Sequence, residues 1–292
     1  MYAAISPSDP APGITASPAA QRAKGSGQIS FKPAEGGVTR LDRLYQQGCA
    51  KIRLPKVYGS KASEAVLINS SGGLTGGDEM SWDITCGSAT SALATTQACE
   101  KLYKSNGGTA RVETRISVAD GARFDWLPQE TILFDRSALD RSLMVELEGS
   151  ARFLAVEAVL LGRLAMGETS LNTCFKDHWQ IRRNGKLIHT DTLRLEGQTD
   201  LVGNRAATLS GNLSFATLCY AGPDDDETLS HLVDEARTLI ASEPDCTGGA
   251  SAVGGKLLIR LLAPQGMLLR RTLIPLISLL RAGEPLPRVW TT

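Results

Sequence analysis

Apolar residues recur at every second position through much of this chain, and that alternation predicts strands. Trp82, Ile84 and Cys86 alternate with polar residues, the pattern of a half-buried strand. Over residues 110–118, Val112, Ile116 and Val118 share one face and Arg111, Glu113 and Arg115 the other. Leu143, Val145 and Leu147 repeat the pattern. Residues 153–161 are continuously apolar except for Glu157, which predicts a central strand with a carboxylate inside it. Asn184-Gly185, in the middle of 180–188, marks a type I′ hairpin turn. Further strands are expected over 50–57, 66–69, 207–220 and 256–262.

The helical period appears only in the last third. Leu229, Leu232, Val233, Ala236, Leu239 and Ile240 fall at 3.6-residue spacing, with Asp224, Asp225 and Asp226 before them to cap the helix and Pro244 after it. A second helix is expected over about 272–282, with Pro275 in its first turn and Gly283 at its end. Short strands at close spacing with two late helices predict a mainly β fold, not a doubly wound one. Residues 1–27, rich in Ala, Pro, Ser and Gly, are expected to be disordered, and 28–292 to form a single β-rich domain.

One stretch departs from alternation. Gly72, Gly73, Gly76 and Gly77 crowd into six positions and end on Asp78. So many glycines require positive φ or a close approach of backbone to a neighbour. The glycine spacing matches a phosphate-binding loop, but Asp78 stands where that loop needs its lysine, and a carboxylate repels phosphate. Asp78 suits a cation or a cluster of backbone N–H groups.

Composition narrows the function. Lys plus Arg and Asp plus Glu are both 31, so the formal net charge is zero and no global field attracts nucleic acid or anionic lipid. No apolar run reaches the ~18 residues of a membrane span. The neutral chain and the apolar segment 268–280 together lead to the expectation of an exposed patch that needs a partner. The six cysteines form no Cys-x-x-Cys pair, and with no secretory pattern they are expected to be reduced in a cytoplasmic protein. No nucleophile elbow is present, and the three histidines show no catalytic spacing, although His178 and His189 flank the hairpin and are placed to meet across it.

The carboxylates carry more. Asp78 follows glycines, Glu130 and Asp135 bracket Thr131-Ile132-Leu133-Phe134, Glu157 breaks an apolar strand and Glu168 follows Met166-Gly167. A charge in apolar surroundings needs a counter-ion or a bound cation. The structural reading pairs these groups with Arg136, Arg152 or Arg163; Glu100, beside Lys101 and Lys104, reads as a solvated face.

Gly72-Gly73-Leu74-Thr75-Gly76-Gly77-Asp78 resembles a signature of the urease accessory proteins called UreD (UreH in some systems). Further similar stretches follow in order: Thr95-Thr96-Gln97, Glu100-Lys101-Leu102-Tyr103-Lys104-Ser105, Trp126 to Ile132, Phe134-Asp135, Gly162-Arg163 with Met166-Gly167-Glu168, Trp179 to Arg183, and Pro287-Arg288-Val289-Trp290. The resemblance implies a layered, β-helix-like arrangement of many short strands. It also implies a scaffold that binds the urease apoprotein, works with UreF and the GTPase UreG, and assists nickel insertion without catalysis of its own. No tightly bound cofactor is implied, only transient Ni2+, with Asp78, Glu157 and Glu168 as the candidate metal ligands along an interior route. The alternative is a carboxylate-dependent, metal-assisted hydrolase using Glu157 and Glu168.

Overall fold

The computed structural model describes residues 22–57, 60–163, 166–168, 171–198 and 205–291. The expectation of disorder over 1–21 lies outside them. Two sheets face each other. The front sheet holds β1 (Lys24–Ala34), β2 (Val38–Gly48), β5 (Glu79–Cys86), β8 (Ala110–Val118), β11 (Ala138–Leu147), β13 (Asn172–Arg183) and β14 (Lys186–Gln198), in the order β14-β13-β11-β8-β5-β1-β2. The back sheet holds β3 (Ala50–Arg53), β4 (Ser63–Asn69), β6 (Ser91–Thr96), β9 (Arg123–Trp126), β12 (Arg152–Leu161), β15 (Ser214–Ala221), β16 (Thr247–Ala252) and β17 (Leu257–Ala263), in the order β16-β17-β15-β12-β9-β6-β4-β3. A short branch, β7 (Glu100–Leu102) and β10 (Thr131–Leu133), joins it through β12.

From β4 to β13 the chain winds between the sheets. Each coil adds one strand to the back and one to the front, and each new strand pairs in parallel with its counterpart one coil earlier. The result is a β-solenoid-like stack of coils, the fold class expected from the sequence. The alternation explains it: Ile84, Ile116, Val145 and Ile181 all point into the space between the sheets, where Phe124, Phe153 and Trp126 meet them from the back. A second apolar cluster around Leu74, Leu102, Leu133, Val159 and Phe175 fills the other end of that space. The Asn184-Gly185 turn joins β13 to β14, with φ of 50° and 75°, as a type I′ turn requires.

The back sheet is covered outside by α1 (Asp226–Ala241) and α2 (Gly266–Leu280), followed by a short α3 (Arg288–Thr291). Asp225 caps α1, accepting the Thr228 N–H at 2.8 Å. The second helix begins at Gly266, six residues before the expected start, and Pro275 lies in its interior. An interior proline costs a helix about 3 kcal/mol or more. Burying one leucine returns about 1.5–3 kcal/mol. Leu269, Leu273, Leu276, Ile277 and Leu280 are all buried, so packing outweighs the proline. The same burial corrects the expectation for 268–280: this stripe is core against the back sheet, not an exposed patch. At the helix end, Arg281 is buried and donates to Asp125 on β9 at 2.7 Å, tying helix to sheet.

Two other expectations change. The first strand starts at Lys24, so residues 24–27 are ordered. Their glycines serve packing: a Cβ on Gly25 would lie 2.7 Å from the Ala50 nitrogen, and one on Gly27 would lie 2.6 Å from the Trp82 ring. The strand expected over 207–220 starts only at Ser214, and the residues before it form turns.

Leu269→Ala is expected to lower stability by about 2–5 kcal/mol. Met267→Ala, two residues away on the exposed side of α2, is expected to change it by less than about 0.5 kcal/mol. Urea unfolding of both variants checks which face of α2 is core.

Candidate functional site

The glycine stretch links β4 to β5 and forms part of the coil wall. Leu74 donates its N–H to the Lys101 carbonyl and accepts from the Tyr103 N–H, both at 2.8 Å, so the loop pairs with β7 of the next coil. Gly73 has φ of 145°, and a Cβ there would lie 2.7 Å from the Lys101 oxygen. Gly76 does not use positive φ; its constraint is space, since a Cβ would come 2.5 Å from the Gly107 and Gly108 carbonyls. Asp78 is buried and accepts the Ala23 and Thr75 N–H groups, one on each oxygen, both at 2.8 Å. It is the anion inside a backbone N–H cluster, and it pins the start of β1 to the loop. A strand, not a helix, follows the loop, so no phosphate cradle forms.

Glu100 is a correction. It is half-buried, not solvated, and its carboxyl accepts from the Asn69 side-chain amide at 3.1 Å. Burial pushes the Glu100 carboxyl from 4.5 up to about 7, against the opposing effect of that hydrogen bond.

Glu157 occupies a gap in the coil. Its strand, β12, pairs with β9 through Ala155 and with β10 from Val159 onward. Between these pairings, residues 127–130 of the previous coil leave the sheet. Glu157 therefore faces the inter-sheet space with a missing neighbour beside it, between the two apolar clusters. Its Oε1 accepts from Trp126 Nε1 at 2.9 Å and its Oε2 from Arg141 Nη1 at 2.5 Å. Arg141 also donates to Thr131 Oγ1 at 3.0 Å and makes a two-pronged contact with Asp177 at 3.1 and 2.6 Å. One cation thus serves two carboxylates. Burial, together with the Asp177 charge, lifts the Glu157 carboxyl above the ordinary carboxylate range, although Arg141 opposes this. Glu157 and Asp177, with Asp191 and Thr217, line a cavity of about 10 Å³.

The departing segment is held from outside. Arg270 on α2 donates to Glu130 at 2.9 Å and to the Val289 carbonyl at 2.8 Å, and stacks over the Trp290 ring at 4.8 Å. Trp290 Nε1 donates to the Leu127 carbonyl at 3.0 Å. The C-terminal Pro287-Arg288-Val289-Trp290 stretch therefore clasps the segment that makes the gap.

Glu168 lies away from this layer, bound to the Arg163 side chain at 3.0 Å and to its N–H at 3.1 Å. The Arg163 pairing was among those the sequence suggested; Glu157 and Glu130 instead take Arg141 and Arg270. Asp78, Glu157 and Glu168 thus sit in three separate environments, and the Glu157–Glu168 pair required by metal-assisted hydrolysis is not assembled. Among the described residues no three His, Cys, Asp or Glu side chains converge as a metal site. The histidines do not meet either. His178 is on the outer face with Thr192 Oγ1 at 2.7 Å, while His189 points inward, edge-on to Trp179. They lie an odd number of strand positions apart across the hairpin, where successive side chains take opposite faces.

Arg141 and Asp177 are the residues that sequence reasoning missed. The signal was present: Arg141 falls in register with Leu139, Leu143 and Val145, and Asp177 with Phe175, Trp179 and Ile181. A charge at an inward position of an alternating strand marks a buried polar site.

Arg141→Met strands the buried Glu157 and the part-buried Asp177 and is expected to cost about 3–5 kcal/mol in urea unfolding. Glu157→Gln keeps the side-chain shape but replaces one accepting oxygen with a donating NH2, leaving either the Trp126 or the Arg141 donor unpaired, so its expected cost is about 1–3 kcal/mol. For Glu100, the unfolded chain releases its proton near 4.5 and the folded chain near 7. The folded state binds more protons between these values, so stability falls as pH rises through that window, by at most about 1.4 kcal/mol per pH unit. Melting temperatures at pH 5 and pH 8 should show this fall in the native chain and a flatter profile in Glu100→Gln.

Residues 23–291 match the model of the UreD urease accessory protein family. The chain is 52% identical over 270 residues to the urease accessory protein UreD of Agrobacterium fabrum, covering 92% of each. It is 53% identical to that of Rhizobium etli over 92% of this chain and 96% of the relative. Against that of Rhizobium leguminosarum bv. viciae it is 52% identical, covering 95% and 98%. A match of this length, spanning the solenoid, the interior charge layer and the C-terminal clasp, means that the chain belongs to the UreD family of urease accessory proteins.

Proposed function

We propose that this chain is a non-catalytic scaffold for urease maturation in the cytoplasm. It binds the urease apoprotein and, together with UreF and the GTPase UreG, helps bring nickel to the apoenzyme. Membership of the UreD family supports the maturation role, and the unbalanced interior layer supports the handling of a cation. One arginine serves Glu157 and Asp177, beside a cavity that Asp191, itself paired with Arg260 at 2.7 Å, also lines. Burial disfavours the charge on Glu157, and a passing divalent cation would supply the counter-charge that Arg141 otherwise shares with Asp177. Carboxylate ligands hold late first-row metals more loosely than thiolate or imidazole do, so the ion stays mobile.

In this reading nickel is cargo, and Glu157 is the carboxylate best placed to meet it. Asp78 and Glu168 are also assigned to the route, but backbone N–H groups and Arg163 already engage them, so their contribution is the weaker one. Nucleotide hydrolysis belongs to the GTPase partner, in keeping with a glycine loop that opens into a strand.

The test measures assembly and activation on the same variants in cells expressing the urease operon. Glu157→Gln is expected to lower urease activity and urease-bound nickel several-fold, while the chain still co-purifies with urease. Asp78→Ala should have a smaller effect. Loss of assembly together with activity would assign Glu157 to structure, and unchanged activity would remove it from the route.

A further inference from the structure

Stretches far apart in sequence meet at one corner of the solenoid, where the front and back sheets are joined by turns. Gly73 runs beneath the Tyr103 ring so closely that no Cβ fits between them. Tyr103 meets the Phe134 ring edge-on, with centroids 5.2 Å apart. Arg163 lies over the other side of that cluster, its guanidinium 4.3 Å from the Phe134 centroid, and Glu168 holds it there. Each member comes from a different coil, and the parallel register brings them together: Leu102 pairs with Leu133, and Leu133 with Leu161, the residues just before this corner.

Among the described residues the platform is part-exposed. Tyr103 remains 42% exposed and the Arg163 side chain 41%. A tyrosine ring and an arginine held in a fixed stack present large, preorganised contact area with little rotamer entropy left to lose. The carboxylates at this corner, Glu168, Glu100 and Asp135, are each engaged by a neighbour, which leaves the exposed lysines as its free charge among the described residues. Lys101, two positions before Tyr103 on the same face of its strand, is exposed, as is Lys104. The adjacent Glu100 carboxyl is half-buried and accepts from the Asn69 amide, which also donates to the Gly73 carbonyl at 3.3 Å. Asp135 is taken up by the Asn172 N–H and by Arg136. A chain whose formal net charge is zero thus places two exposed lysines, with no ion-pair partner among the described residues, beside this aromatic–arginine stack.

We propose that this corner, centred on Tyr103, Phe134 and Arg163 and flanked by Lys101 and Lys104, is a docking surface for an acidic protein face of the urease maturation complex. The inference rests on the scaffold reading above and adds where one partner binds. The flanking lysines supply steering and salt dependence, and the aromatic–arginine stack supplies the desolvated centre.

The experiment uses the full tagged chain co-expressed with the urease operon, with each co-purified component identified by mass spectrometry. Lys101→Glu combined with Lys104→Glu is expected to reduce recovery of one urease component about tenfold. Tyr103→Ala should reduce recovery of the same component to a similar extent. The melting temperature of the lysine variant should match the native value, and raising salt should release that component from the native complex. Recovery unchanged in both variants, with a native chain that does capture urease components, overturns the corner alone. A native chain that captures none overturns the scaffold reading and this inference together. Loss matched by a lowered melting temperature in the lysine variant assigns the corner to folding. Release of a second copy of this chain, in place of a urease component, makes it a self-association surface and also overturns the proposal.

Discussion

Hydrogen bonding between one coil and the next is the constraint on which the rest of this protein depends. Once β5, β8, β11 and β13 pair in parallel and in register, every second residue of each strand is committed to the inter-sheet space. A slip of one residue would turn Ile116 and Val118 outward and bring Arg115 and Ser117 inside. The apolar layers on either side of Glu157 hold that register, and the close-packed glycines at 25, 27, 73 and 76 let neighbouring coils approach far enough to keep it.

Within that frame, the interior charge layer is a consequence of an interruption. The back sheet loses a strand's worth of pairing where residues 127–130 swing out, and the side chain opposite the gap is Glu157. The swing is stabilised by contacts from the end of the chain, through Arg270 and Trp290. A desolvated carboxylate then needs a counter-ion, and Arg141 from the front sheet provides it while also serving Asp177. The layer thus couples both sheets and the C-terminal helices. An all-apolar replacement of similar volume would fold at least as well by general experience with buried ion pairs. Its presence is therefore not explained by stability alone.

The turn corner follows from the same stacking. Loops that lie 30 residues apart in sequence become neighbours one coil apart, so Gly73, Tyr103, Phe134 and Arg163 build a surface that none of their local sequences encodes.

The sequence by itself determined the elements whose signal is local. Alternation marked β5, β8 and β11 and their inward faces; a continuous apolar run broken by one carboxylate marked β12; Asn184-Gly185 marked the hairpin; Asp225 and the leucine period marked α1; and the glycine cluster marked a tight loop. The resemblance of several ordered stretches pointed to the family that the comparisons then established. Only the tertiary structure decided the rest. It chose Arg141 as the partner of Glu157, because partners across the interior depend on coil register and not on spacing in the chain. It started α2 at Gly266 despite Pro275, because burial of five apolar side chains outweighs one lost helical hydrogen bond. It ordered residues 24–27 and half-buried Glu100, because both effects come from neighbours more than twenty residues away: Ala50 and Met80 in the first case and Asn69 in the second. Local patterns specify which way a side chain points along its own strand; what it meets there is set by the coil stacked against it.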